Sequence, residues 1–203
     1  MSENYETNYK FVFDTETTGL PVREKRKKLN YNNLENFENS RIVSLSYLIL
    51  NKNNEIVEKK TYYIKPDNFV VSQESINIHG LTDEFLNVNG TDIYNLFVIL
   101  YNIFEKYKIN LIISHNIDFD INILKSELLR YNQNELLINI EKITTYCTML
   151  EAQKKMNVGK WPKLAEAYKY FYNDNIQNAH NAEYDTFYCY KVYLKTNNIE
   201  LQN

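Results

Sequence analysis

The sequence predicts a mixed α/β domain, and three observations lead there. A short apolar strand and a hairpin open the chain, and a helix with one apolar face occupies its middle. After that helix, a strand, a short turn and a second helix follow in direct succession, the beginning of a crossover onto a sheet.

The elements follow in chain order. Lys10 to Asp14 is a short apolar run and reads as a strand. Arg41 to Leu50 and Glu55 to Lys65 read as a hairpin turning through the polar segment Asn51 to Asn54. Between these strands lies a polar insert, Pro21 to Asn39, which opens with Arg23, Lys25, Arg26, Lys27 and Lys28 and reads as a surface loop. In Asp92 to Tyr107, the residues Ile93, Leu96, Phe97, Leu100, Ile103, Phe104 and Tyr107 recur at helical spacing and form a stripe that covers a core. Ile109 to Ser114 is a buried-strand candidate, and Phe119 to Tyr131 follows as a helix. A strand near Lys142 to Tyr146, a helix from Pro162 to Phe171 with proline in its first turn, and a last helix from Ala182 to Lys195 complete the reading. No repeat or low-complexity linker interrupts the 203 residues, so a single domain over 1–203, with its core at about 10–195, is expected.

Composition narrows the function classes. Hydrophobic residues make up 44% of the chain and aromatics 14%, including 18 Tyr and 10 Phe, which is too much packable surface for a disordered protein. With 26 acids against 23 bases the net charge is -3, which excludes a protein that coats nucleic acid by charge alone. Cys147 and Cys189 are too few for a disulfide framework and lack zinc-site spacing, so a reduced intracellular setting, cytoplasmic or nuclear, is expected. No apolar run approaches the roughly 20 residues of a membrane span, and no membrane partner is expected.

Three segments carry candidate chemistry. In Phe13-Asp14-Thr15-Glu16-Thr17-Thr18-Gly19, two acids two residues apart at a strand end face the same side. Adjacent carboxylates repel unless a divalent cation neutralises them, and hard ions such as Mg2+ take oxygen ligands; a solvated strand end is the alternative. In Ser114-His115-Asn116-Ile117-Asp118-Phe119-Asp120, helical periodicity separates two acids. Asp120 shares the inward stripe of Ile117, Leu124 and Leu128, whereas Asp118 lies with Asn122 and Lys125 on a polar face and reads as solvated or helix-capping. A carboxylate on an inward stripe needs a partner. In His180-Asn181-Ala182-Glu183-Tyr184-Asp185, Asp185 interrupts a stripe formed with Ala182, Cys189 and Val192, and His180 precedes the helix, where a loop can aim its imidazole at the same centre or a core or capping role can use it. The remaining histidine, His79, stands in Ile78-His79-Gly80-Leu81-Thr82 beside one of only four glycines.

Phe13 to Gly19, His115 to Asp120 and His180 to Asp185 resemble, in order and spacing, the three motifs of the DEDDh 3′-5′ exonucleases, the DnaQ-like group typified by the proofreading subunit of bacterial DNA polymerase III. Ile78 to Thr82 resembles an accompanying segment, and the resemblance covers nearly the whole chain. It implies a ribonuclease H-like fold, a five-stranded mixed sheet flanked by helices. It further implies that Asp14, Glu16, Asp120 and Asp185 ligate two Mg2+ ions, with Mn2+ a possible substitute, and that His180 is the general base. By the same resemblance, the backbone around Thr17 and Thr18, together with Leu20, His79, His115 and Asn116, meets the terminal nucleotide; Leu20 as core and Asn116 as a helix cap are the competing readings. The implied reaction releases nucleoside 5′-monophosphates stepwise from a nucleic acid 3′ end.

Two departures stand out. Cys147 occupies the place before Thr148 where many relatives carry Asp, and the insert Pro21 to Asn39 has no fixed counterpart; its basic residues read as a nucleic-acid contact, a solvated loop or a targeting signal. The stretch Asp14-Thr15-Glu16-Thr17-Thr18-Gly19 is closer to the proofreading and repair branches than to the oligoribonuclease branch, which favours DNA, single-stranded or frayed, over RNA. An inactive binding module would lack a ligand, and all four acids and His180 are present. Only Thr196 to Asn203 follow the last helix, short for the polymerase-binding tail of some relatives, so a free-standing enzyme is expected.

Overall fold

The computed structural model of the protein describes residues 8–23 and 27–200. Its centre is one sheet of five strands, β1 (Tyr9–Thr17), β2 (Ile42–Leu50), β3 (Ile56–Tyr63), β4 (Ile109–Ser114) and β5 (Thr144–Cys147), in the order β3-β2-β1-β4-β5. β1 pairs antiparallel with β2 and parallel with β4, so the sheet is mixed and its central strand is the first in sequence. The expected hairpin is the antiparallel pair β2 and β3, and β5 runs parallel to β4 at the opposite edge.

Strand alternation on β1 sends its side chains to two cores. Phe11 and Phe13 are fully buried in the larger core, against α3 (Ile93–Tyr107) and α4 (Ile117–Arg130). Val12 points the other way, to Cys189, Tyr190 and Tyr193 of α8 (Ala182–Thr196). Continuing the alternation, Asp14 and Glu16 leave the sheet on the α8 side, and Thr15 leaves it on the α4 side. The catalytic question is thus set by register: a slip of one residue on β1 would exchange the acids for threonines.

α8 buries residues on more than one face, because Tyr188 and Val192 also pack on Ala152 of α6 (Thr148–Met156) and on Ala167 and Tyr168 of α7 (Leu164–Tyr172). At the start of β2, buried Arg41 donates to Glu127 of α4 through Nε at 2.7 Å and Nη2 at 3.1 Å, and the Ile42 N–H donates to the same carboxylate at 3.2 Å. This fork fixes the end of the sheet nearest the acids to the helix that carries Asp120.

Two sequence expectations change. The insert is not simply a surface loop: Leu29 and Phe37 enter the core, Leu34–Phe37 forms a 3-10 turn, and the Tyr31 N–H donates to Asn122 Oδ1 at 3.1 Å. An insert written in polar letters is held by the few apolar ones it contains. Lys25 and Arg26 of its basic run lie outside the described residues. Pro162 stands before the helix rather than in its first turn, since α7 starts at Leu164 after its N-cap Lys163.

Four short helices went unread: α1 (Gln73–His79), α2 (Asp83–Asn89), α5 (Asn134–Glu141) and α6. None spans enough turns for periodicity to register. The caps of α1 and α2 were legible, since the side chains of Ser72 and Thr82 accept from Ser75 N–H and Phe85 N–H, whereas α5 and α6 have no side-chain cap. Gly80 ends α1 at a φ of 76°, a left-handed conformation that favours glycine.

Candidate active site

Three carboxylates meet at the end of β1. Asp14 and Glu16 come from the strand, Asp185 from the first turn of α8, and one oxygen of each lies within 4.8 Å of the others. Asp120, on the first turn of α4, is 3% exposed and stands beside this group, close enough to raise the pKa of Asp14 and Glu16 by charge repulsion. Its own oxygens are spoken for: Oδ1 accepts from the Thr15 N–H at 3.1 Å and the Thr15 hydroxyl at 2.8 Å, and Oδ2 accepts from the Ser114 hydroxyl at 2.6 Å. Thr15 therefore has a role that the alternation of β1 dictates, holding the fourth acid from the face opposite the other two.

The electrostatics are those of crowded, buried anions. Burial first, then the charges of Asp120, Glu16 and Asp185, push the Asp14 carboxyl well above its usual range. Burial, followed by Asp185 and Asp120, raises Glu16 to about 8. Burial raises Asp120 to about 6 against the opposing effect of the Ser114 and Thr15 hydrogen bonds, and Asp185 is raised by burial as well. Asp185 Oδ2 accepts from the backbone N–H of His180 at 2.9 Å, whereas Oδ1 is buried with no hydrogen-bond partner. An orphaned buried carboxylate oxygen facing two more carboxylates is the donor set a hard divalent cation requires, so these residues fit such an ion.

His180 precedes α8 as expected. It adopts a φ of 64°, it is exposed, and its charge reaches both Asp185 and His79. Asn181 caps the helix by accepting from the Glu183 N–H at 3.0 Å.

The six residues implied in substrate contact divide into two groups. Leu20 is 79% exposed, which removes the core reading. Asn116 occupies the N-cap position of α4 in a left-handed conformation (φ 69°, ψ 51°) without a capping hydrogen bond, so its side chain is not used as the cap. The other four are engaged within the protein. Thr17 Oγ1 donates to the Gly19 carbonyl at 2.7 Å. The Thr18 hydroxyl donates to the Asn39 carbonyl at 2.9 Å and accepts from the Arg41 N–H at 2.9 Å. Between this threonine and Leu20, Gly19 approaches the chain so closely that a Cβ would stand 2.7 Å from the Asn39 carbonyl oxygen. His79 accepts from the Leu81 N–H through Nδ1 at 3.0 Å, which makes Nε2 the donor to the Thr17 carbonyl at 3.3 Å. Its pKa is lowered, by burial first.

His115 is the most constrained. Nε2 donates to the Pro162 carbonyl at 3.0 Å, and Nδ1 accepts from the Thr148 hydroxyl at 2.9 Å. Burial pushes its pKa down to about 4, so the ring is neutral and both nitrogens are used to tie the β4–α4 junction to α6 and the start of α7. Sequence reading missed Ser114, Thr15 and Thr148 as the supports of Asp120 and His115. A signal existed for the first two, since they are the immediate neighbours of His115 and of the two strand acids.

A five-stranded mixed sheet with helices on both faces and acids gathered at the end of its central strand defines a ribonuclease H-like nuclease fold. The chain belongs to the exonuclease family RNase T, whose match runs over residues 11–193. Among curated proteins it is 28% identical over 187 residues to the DNA polymerase III subunit epsilon of Buchnera aphidicola subsp. Schizaphis graminum (strain Sg), covering 90% of this chain and 72% of that one. Among solved structures it is similar to E. coli Exonuclease I in complex with a dA16 oligonucleotide, at a TM-score of 0.68 and 16% identity over 93% of this chain. The chain spans 41% of that enzyme's length. Exonuclease X in complex with 5′ overhanging duplex DNA aligns with 96% of this chain and 94% of its own, at a TM-score of 0.59 and 17% identity. At these identities the structures establish the shared fold. Among the described residues no helix is long and apolar enough to cross a membrane.

Proposed function

We propose that residues 10–195 form one exonuclease domain that hydrolyses DNA from its 3′ end and releases nucleoside 5′-monophosphates. The observation that carries this reading is the convergence of Asp14, Glu16 and Asp185, together with the buried, unpartnered Oδ1 of Asp185. Asp14, Glu16, Asp120 and Asp185 would hold two Mg2+ ions, with Mn2+ as substitute. Bound there, the ions supply charge neutralisation at the scissile phosphate and acidify water. His180, exposed beside Asp185, takes the proton from the attacking water. Water adds to phosphorus, the bond to the 3′ oxygen breaks, and the 5′-phosphate leaves with the terminal nucleoside. Ser114 and Thr15 orient Asp120, and Leu20 offers an apolar surface to the terminal base.

The 3′ polarity and the choice of DNA rest on the motif resemblance, and the oligonucleotide complexes of the similar structures favour the same class of substrate. Digestion of 3′-labelled and 5′-labelled single-stranded, duplex and mismatched DNA in Mg2+, beside matched RNA, tests each element. Loss of the 5′ label first would overturn the polarity, and faster digestion of RNA would replace DNA as substrate. The similarity to a polymerase subunit leaves a docked polymerase as a second arrangement, tested by proofreading bias toward mismatched 3′ ends.

A further inference from the structure

A groove of ≈ 480 Å³ lies beside the candidate active site, between the insert, the N-terminus of α4, β5 and α6. One bank carries Arg23, Lys27 and Lys28; the other carries Leu150 and Trp161, the single tryptophan of the chain. Trp161 is 60% exposed and Leu150 is 39% exposed, an arrangement that gains nothing for folding. Among the described lining residues the acid is Asp118, which Arg23 pairs at 3.0 Å, and Lys28 adds a positive charge to the groove. Asn116 also lines it, and Asn116 begins the helix whose first turn carries Asp120. Cys147 of β5 lines it too, paired in register with Ser114, which holds Asp120. The groove is thus lined by residues adjacent, in sequence or in sheet register, to those that hold Asp120.

A positively charged track with an exposed aromatic ring is the chemistry of single-stranded nucleic acid binding: cations follow the phosphates and a base stacks on the ring. The volume is also in the range of about 300–1,000 Å³ of sites that enclose one small group, suited to a single base. Leu29, next to Lys28 in the chain, is buried in the core and anchors that end of the basic bank. We propose that this groove binds the single strand upstream of the cleaved nucleotide, with a base stacked on Trp161 and the backbone passing Lys28. The proposal deepens the exonuclease reading and rests on it for the identity of the ligand.

Trp161 is its own reporter. In EDTA, where no hydrolysis occurs, a single-stranded 12-nucleotide DNA is expected to quench its fluorescence saturably, while thymidine 5′-monophosphate at the same nucleotide concentration is not. Lys28→Ala should weaken 12-mer binding severalfold and lower the slope of log affinity against log salt by about 0.7. Trp161→Ala, followed by anisotropy of a labelled 12-mer, should weaken binding roughly tenfold. The proposal fails if the 12-mer does not quench, if a polyglutamate peptide of equal length quenches as well, or if both variants bind like the parent. Hydrolysis of a dinucleotide in Mg2+, a substrate too short to reach the groove, is followed separately. Its absence with quenching intact would remove the exonuclease reading and leave the groove standing; its presence without quenching would remove the groove alone.

Discussion

The backbone N–H of His180 donates to Asp185 Oδ2 at 2.9 Å, so the histidine and the acid of the last motif are joined through the main chain and the imidazole is not part of the bond. This separates two duties of one residue. Its peptide group holds a carboxylate of the proposed metal site, and its exposed ring is left for the proposed proton transfer.

Replacing His180 with asparagine tests that separation. Asparagine tolerates the left-handed φ of 64° and keeps the N–H. Exonuclease activity should fall by about 10²–10⁴, while the rise in melting temperature on adding Mg2+ persists. If the Mg2+ response disappeared with the activity, the side chain would be supporting the acids and the general-base role would lose its basis.

Asp14→Asn should act in opposite directions on stability and activity. Burial, and then three neighbouring carboxylates, disfavour the charged form of Asp14, so the amide removes the cost of either holding that charge or protonating it in the metal-free protein. Differential scanning fluorimetry in EDTA near pH 8 should give a higher melting temperature than wild type, by roughly 2–4 °C for each kcal/mol relieved. The Mg2+-induced rise should shrink or vanish, and activity should be lost. A lower melting temperature in EDTA would show that the carboxylate is stabilising and contradict the electrostatic account.

The pH dependence follows from the same groups. Glu16 titrates near 8 in the folded chain against an ordinary 4.5, so between those values the folded state holds a proton that the unfolded state has released. Its contribution to metal-free stability therefore declines as pH rises from about 5 to about 8. Asp120, raised from 3.8 to about 6, acts in the same sense at lower pH. His115, lowered from 6.5 to about 4, acts in the opposite sense, adding stability as the pH climbs through that interval. Two raised acids outweigh one lowered histidine, so melting temperatures in EDTA should fall from about pH 5 to about pH 8, and the increment from excess Mg2+ should grow over the same range. An Mg2+ increment that is flat with pH would count against protons and metal sharing these carboxylates.

The Arg41–Glu127 fork is the strongest link between the sheet and α4. Both side chains are buried, and Glu127 also receives the Ile42 N–H. Glu127→Gln leaves a buried guanidinium without its counter-charge, for which a loss of about 3–5 kcal/mol is expected in urea unfolding. A cost under about 1 kcal/mol would mean that water or Tyr131, whose hydroxyl accepts from Arg41 at 2.9 Å, suffices as partner.

Leu20 is exposed enough that its truncation should leave the fold alone. Leu20→Ala is expected to change unfolding free energy by no more than about 0.5 kcal/mol. The KM for an oligonucleotide should rise severalfold, measured by release of 5′-mononucleotides. An unchanged KM would remove Leu20 from the terminal-nucleotide surface.

Long, strongly patterned elements were legible in advance. The helix over Ile93–Tyr107 and the strand over Ile109–Ser114 follow their apolar spacing, and Asp120 was separable from Asp118 because only one falls on the inward stripe. The helices α1, α2 and α6 were not, because each presents too few turns for a period to stand out and none carries a starting signal like the Pro162 that marks α7. Asn122 shows a second limit: it was assigned to the polar face, yet it is buried because the insert folds over it and Tyr31 donates to its side chain.

The sequence by itself determined the order of the strands and the longer helices, the family motifs and the acids at the end of the first strand, since periodicity and local spacing are properties of neighbouring residues. Only the tertiary structure decided that Asp14, Glu16 and Asp185 converge while Asp120 is held aside by Ser114 and Thr15. It also decided that His115 is locked between Thr148 and Pro162, and that Trp161 faces the basic bank of the insert. Burial and hydrogen bonding across 33 or 47 residues depend on which surfaces the sheet and helices bring together, and no local pattern in the chain records that.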